Sequence, residues 1–142
     1  MKIKYLSILL ILFSCGSYAC KNRVEPEKYP ISELEAYDEV LVVEISSTNQ
    51  SNNSRYTKTE SATAKVIQVL KGNLKEGQKV SLRHDTSVPR AVCPVFLKSG
   101  YTYLIPLRKQ DNQFIYSRFS LIVSDIEPEK FTNYVKQIEN GI

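Results

Sequence analysis

Asp38-Glu39-Val40-Leu41-Val42-Val43-Glu44-Ile45 is a β-branched run of strand length, apolar enough to be buried on both faces. Read outward from it, the body of the chain keeps a period of two. Ser46 to Glu60 is polar and full of Ser, Asn and Thr, and reads as a long exposed loop or a hairpin tip. Ala62 to Leu70 (ATAKVIQVL) returns as a strand and stops at the Lys71-Gly72 turn. Lys79 to His84 (KVSLRH) is a short alternating strand after Gly77, and Tyr101 to Leu107 (YTYLIPL) is another, launched by Ser99-Gly100. Pro106 lacks a ladder donor, so that strand is expected to end or lie at an edge there. Gln113 to Ser117 (QFIYS) follows the Asp111-Asn112 turn, and Phe119 to Val123 adds a further short strand. Asp38, Glu39 and Glu44 read as solvent-facing or capping charges.

The two flanks change period. Phe131, Tyr134, Val135 and Ile138 recur at helical spacing and form one apolar stripe. Pro128 suits the first turn of that helix, Glu127 and Glu129 suit its positive end, and Gly141 closes it. Ile31 to Tyr37 is a shorter helical piece, with Ser32 and Glu33 near its start. The order predicts a mainly β fold: a small closed OB-like barrel of five to six strands, a C-terminal packing helix and a short N-terminal helix. Fold class alone says nothing of function.

Ahead of this body stands a different kind of segment. Met1-Lys2-Ile3-Lys4 is a short basic start, Tyr5 to Phe13 is uncharged and mostly apolar, and largely small residues follow to Cys20. That three-part layout is a bacterial export signal, an address rather than part of the fold. Its apolar run is too short for a stable transmembrane helix, which needs about 20 residues. Two processing sites are open. Ser17-Tyr18-Ala19 suits signal peptidase, giving a signal over 1–19 and a domain over 20–142. Leu12-Phe13-Ser14-Cys15 resembles a lipobox, with a signal over 1–14 and an acylated Cys15 that tethers the domain to a membrane. The expected place is the periplasm, the outer membrane as a lipoprotein, or the medium.

Nineteen Lys and Arg, two of them in the leader, stand against 15 Asp and Glu, so the body is nearly balanced in charge. It shows no concentrated basic stripe of the kind a dedicated nucleic-acid binder carries. The chain's five glycines are scattered and make no phosphate-binding loop. Of three cysteines, Cys15 leaves the pool by cleavage or by acylation. Cys20 and Cys93 remain, and an even pair in an exported chain is expected to form a disulfide, with a buried free thiol as the alternative. Closing so long a loop contributes about 4–5 kcal/mol in the chain-entropy model.

Four stretches together resemble the netrin-like (NTR) module, whose best-known members are the tissue inhibitors of metalloproteinases (TIMPs). Ala19-Cys20 puts a cysteine at an available mature N-terminus. Leu34 to Val42 resembles the family's helix turn into its first strand. Val66-Ile67-Gln68-Val69-Leu70-Lys71-Gly72 resembles its second strand and Lys-Gly turn. Cys93 to Ile105 resembles the stretch where a cysteine precedes a Gly-Tyr-x-Tyr-Leu strand. The pieces span nearly the whole body in the family's order. The resemblance implies the OB-like fold and the Cys20–Cys93 bridge. Asn22 stands where the family has a second cysteine, Ser117 or Ser120 where it has a later one, and Lys21 where the inhibitors carry a small Thr or Ser.

Three functions are weighed on these residues. The first is a non-enzymatic module that binds an envelope protein through loops at one barrel end, with Cys20, Lys21, Asn49, Asn52 and Asn53 as contacts. The second is a metallo-enzyme inhibitor: a free α-amino group and carbonyl at Cys20 would chelate a zinc with an open position, which requires the cut after Ala19. The third is a glycan-binding barrel using Tyr101, Tyr103 and Tyr116 as a stacking face, against which stands their use as packing. His84 beside Asp85 is the lone histidine, and no Gly-x-Ser-x-Gly elbow occurs, so catalysis is not expected. Lys65, Lys71, Lys75 and Lys79 read as a solvated face near turns, with a weak contact to an anionic surface as the alternative. The expectation is a monomer with no cofactor, no metal, no nucleic-acid partner, and no membrane contact beyond a lipid anchor at Cys15.

Overall fold

The computed structural model describes residues 31–53, 56–84, 97–116 and 121–142, with 51–53 and 56–60 as backbone alone. Its elements are α1 (Ile31–Leu34), β1 (Glu39–Asn53), β2 (Tyr56–Lys71), β3 (Lys79–His84), β4 (Thr102–Gln110), β5 (Gln113–Tyr116) and β6 (Leu121–Ile122). A 3-10 turn at Val123–Asp125 leads into α2 (Pro128–Gly141). The fold is mainly β. Strands follow the order β1-β2-β3-β5-β4, and β4 pairs back onto β1 to close a five-stranded barrel, with β6 added to β4. β3 and β5 run parallel, and the other pairs are antiparallel.

Alternation sorts the strand side chains into two hydrophobic layers. Leu41, Val43 and Ile45 point into the barrel with Ala64, Leu82, Ile105 and Leu107. Val40 and Leu104 face outward, beneath Leu34, Tyr134 and Ile138 of the helices. β1 is therefore buried on both faces up to Ile45 wherever its side chains are apolar, as its unbroken run predicts. Closing the barrel needs curvature, which bulges supply. Register shifts leave Leu70 and Ile67 of β2, and Ser46 of β1, with no opposite number.

Two open readings narrow against this architecture, and the expected end of a strand at Pro106 changes. Of the two readings of Ser46 to Glu60, loop or hairpin tip, the hairpin holds: β1 and β2 pair through it as far as Asn53↔Tyr56. β4 does not end at Pro106, which lies opposite Val40 in mid-strand. The Ile45 N–H donates to the Tyr101 carbonyl, so odd-numbered residues of β4 carry the bonds to β1 and Pro106 turns its nitrogen to the other edge. On that edge the partner changes, from β6 at residues 103–104 to β5 at residues 107–110, and no described ladder needs the missing donor.

Of the two readings of Glu39 the capping one holds, and the residue is buried at 7% exposure rather than solvent-facing. Its carboxylate accepts the Asn73 N–H at 3.0 and 3.2 Å and the Leu74 N–H at 3.4 Å, and so caps the turn after β2. Gly72 opens that turn at φ 115, and a Cβ there would overlap the carboxylate. Asp38 does cap: its Oδ2 accepts the Lys109 N–H at 2.7 Å. Glu44 is exposed, as expected.

Candidate functional site: the arm end of the barrel

β1 leaves β4 after the Glu44↔Thr102 pair, and β2 begins pairing with β3 only at Ser61↔Arg83. Between those limits, among the described residues, the two strands pair only with each other. The hairpin thus continues past the barrel as a two-stranded arm. Eight residues of β1, from Ser46 to Asn53, run on past β4; the first four lie beside the part of β2 that still pairs with β3, and only Gln50 to Asn53, roughly 13 Å at the usual strand rise, stand on two strands alone. Nothing in Ser46-Ser47-Thr48-Asn49-Gln50-Ser51-Asn52-Asn53 is apolar or charged. Ser46, Ser47, Asn49 and Gln50 are exposed.

The arm is rooted in the turn before β4. Gly100, at φ 83, donates its N–H to the Ile45 carbonyl at 2.8 Å, and Ile45 returns its own N–H to Tyr101 at 3.0 Å. The bulge at Ser46 frees a carbonyl that accepts the Ser99 hydroxyl at 2.8 Å. Tyr101 stands 40% exposed at this root, with the Lys98 ammonium 5.5 Å from its ring centroid. Tyrosine with one apolar face and one wet tip is a residue type enriched in protein interfaces.

The three tyrosines do not form a stacking face. Tyr103 and Tyr116 are fully buried in the barrel interior, and only Tyr101 meets solvent. The Tyr103 hydroxyl accepts the Lys98 N–H at 3.0 Å. Burial pushes that hydroxyl above the ordinary tyrosine value, and the Lys98 bond pulls it partly back. Packing is the role of Tyr103 and Tyr116, and the glycan reading loses the surface it was built on. His84 packs edge-on against Tyr116 with ring centroids 5.4 Å apart.

Asn49 lies on the arm, exposed, and the backbones of Asn52 and Asn53 lie nearer its tip. Cys15, Cys20, Lys21 and Cys93 lie outside the described residues, so the bridge, the lipid anchor and the N-terminal contact have no geometry here. Among the described residues no three or more His, Cys, Asp or Glu side chains gather to hold a metal ion. Nor, among them, is any helix long and apolar enough to cross a membrane. No family model matches the chain, and no curated protein does. Sequence reasoning missed two features, the Lys98–Tyr101 root and the Glu39–Gly72 contact. Gly100 and Gly72 mark both turns in the sequence, but only the strand register shows what each turn faces.

Proposed function

We propose that this chain is a non-enzymatic, exported module of NTR type that binds an envelope protein at the arm end of its barrel. The observation that carries the proposal is the polar arm. Ordering a backbone residue costs roughly 1–2 kcal/mol, which burial of apolar side chains normally offsets. A two-stranded ribbon without a hydrophobic face is marginal by itself. Ser46 to Asn53 contribute no apolar group to the core, so the arm has no evident use inside the fold and presents its contacts outward. Tyr101 and Lys98 extend that surface onto the barrel rim. The leader supports delivery to the envelope, either free after Ala19 or anchored through Cys15.

Site-specific photo-crosslinking in the native envelope tests this. A photoreactive residue at Asn49 or Tyr101 should give one adduct of defined mass. The same probe at Glu76, in the turn at the opposite end of the barrel, should give none. Adducts of equal yield from both ends, or none from the arm, would end the proposal.

A further inference from the structure

Near-neutrality hides a division of charge. The helical segments, residues 31–37 and 121–142, carry Glu33, Glu35, Asp125, Glu127, Glu129 and Glu139 against Lys130 and Lys136. Residues 56–84, the β2–β3 unit, mirror them with Lys58, Lys65, Lys71, Lys75, Lys79 and Arg83 against Glu60 and Glu76. The outer sides of β1 and β4 lie under the helices, whereas Lys65, Lys79, Ser81 and Arg83 on β2 and β3 are exposed.

Register concentrates the cations. Lys65 and Lys79 are direct cross-strand partners, with Thr63↔Ser81 and Ser61↔Arg83 next along the same ladder. Because Ala62, Ala64, Val80 and Leu82 point into the barrel, these alternate residues share the outer face. Two ammonium groups directly opposite each other weaken a ladder. Glu44 opposes Lys65 from β1 and offsets one of them. Lys79 and Arg83 meet no carboxylate among the described residues. Arg83 is instead fixed on the face by a 2.7 Å bond from its guanidinium to the Gln113 side-chain oxygen.

We propose that this outer face of β2 and β3 is a second binding surface, for an anionic envelope polysaccharide bearing carboxylate or phosphate groups. Lys65, Lys79 and Arg83 meet its acid groups, and the hydroxyls of Thr63 and Ser81 meet its sugar hydroxyls. From Lys79 to Arg83 the cations span roughly 13 Å of strand, a reach that suits an extended chain rather than a single ion. A bilayer fits less well. Among the described side chains Ile67 is the large apolar one exposed on β2, and one such residue is a weak interfacial anchor.

The test mixes the protein, purified from its own envelope, with polygalacturonate, with neutral dextran, and with phosphatidylcholine vesicles containing phosphatidylglycerol. Binding to polygalacturonate is expected, weakening as salt rises from low to physiological, with none to dextran or vesicles. The exposed triple variant K65Q/K79Q/R83Q should bind at least about tenfold more weakly, as loss of three surface charge contacts implies. The control K109Q/K130Q/K136Q removes as much charge elsewhere and should stay within about twofold. K79Q alone, at the lysine without an opposing carboxylate, should weaken binding measurably with no change in the thermal midpoint. Equal losses in the two triple variants would reduce the effect to net charge and overturn the site. Binding to vesicles but not to polymer would make this a membrane-facing surface and overturn the proposal too. So would the absence of polygalacturonate binding at low salt.

Discussion

The β1–β2 hairpin passes through two environments along its length. At its base, from Val40 to Ile45, β1 has β2 on one edge and β4 on the other, and its apolar side chains are buried inside the barrel or under α2. Beyond Ser46 β1 keeps β2 but loses β4, β2 keeps β3 only as far as Ser61, and β1 is Ser, Thr, Asn and Gln alone. The backbone conformation is shared, but what sustains it differs. The base is held by buried apolar area, each large side chain contributing about 1.5–3 kcal/mol. The arm has only its ladder, and a net hydrogen bond contributes about 1 kcal/mol against a similar entropy cost. A fold-determining region and an interaction region can therefore be parts of one continuous strand.

Substitutions that break the base should have the largest effect. Leu41→Ala removes a fully buried side chain from the barrel interior and should destabilise by about 2–5 kcal/mol in urea unfolding. A loss under about 1 kcal/mol would mean that the interior collapses around the gap and that the base is less tightly packed than its burial implies.

The clamp at the foot of the base comes next. Gly72→Ala forces a side chain into a positive-φ position and against the Glu39 carboxylate, for a loss of about 2–3 kcal/mol. Glu39→Ala removes the acceptor of the Asn73 and Leu74 N–H groups and should cost about 1–3 kcal/mol. The double variant separates the two effects. If steric overlap dominates Gly72→Ala, then Glu39→Ala should partly rescue it, and strictly additive losses would assign the cost to the backbone conformation.

The outer cover of the base is open to a pH measurement. Burial under α2 pushes the Tyr134 hydroxyl from its ordinary 10.0 up to about 12. The folded state thus holds this proton more tightly than the unfolded chain. The associated stability is fully present below pH 10 and is lost as pH rises from 10 to about 12. Absorbance titration at alkaline pH should show the Tyr134 step as late ionisation, beside that of buried Tyr103, and Tyr134→Phe should remove the Tyr134 step and flatten the alkaline decline. Ionisation of Tyr134 near pH 10 would mean that α2 lifts off the base while the barrel persists.

The arm should show the smallest effect. Replacing Asn49 to Ser61 by Asn-Gly joins Thr48 to Ala62, which already face each other, through a two-residue turn. Unfolding free energy should change by less than about 1 kcal/mol while crosslinking at Tyr101 falls. A loss of several kcal/mol would erase the contrast between base and arm and make the arm part of the fold.

Much of the framework was legible residue by residue. Lys79 to His84 alternates cleanly and is β3 with those bounds, and the Phe131–Ile138 stripe behind Pro128 is α2. Ser46 to Glu60 stayed open between loop and hairpin because polar residues give no periodic burial signal, although their backbones pair as readily as any others once a neighbouring strand continues. The tyrosines resisted for a related reason. Alternation puts Tyr101 and Tyr103 on the same side of the chain, but the barrel closes over Tyr103 and leaves Tyr101 at its rim. Glu39 is an acid in an apolar run, and nothing local reveals that the turn around Gly72 arrives to receive its carboxylate.

The sequence by itself determined which segments extend, which coil, and which faces are apolar, because φ/ψ preference and side-chain period are properties of neighbouring residues. It also determined the balance of charge and the number of cysteines. Tertiary structure alone decided that β4 returns to β1, that Lys65 stands against Lys79, and that the hairpin outlasts the barrel. Each of these depends on pairing between residues far apart in the chain. Register is set by the whole closed ladder at once, and a shift of one residue would turn every side chain of a strand to its other face.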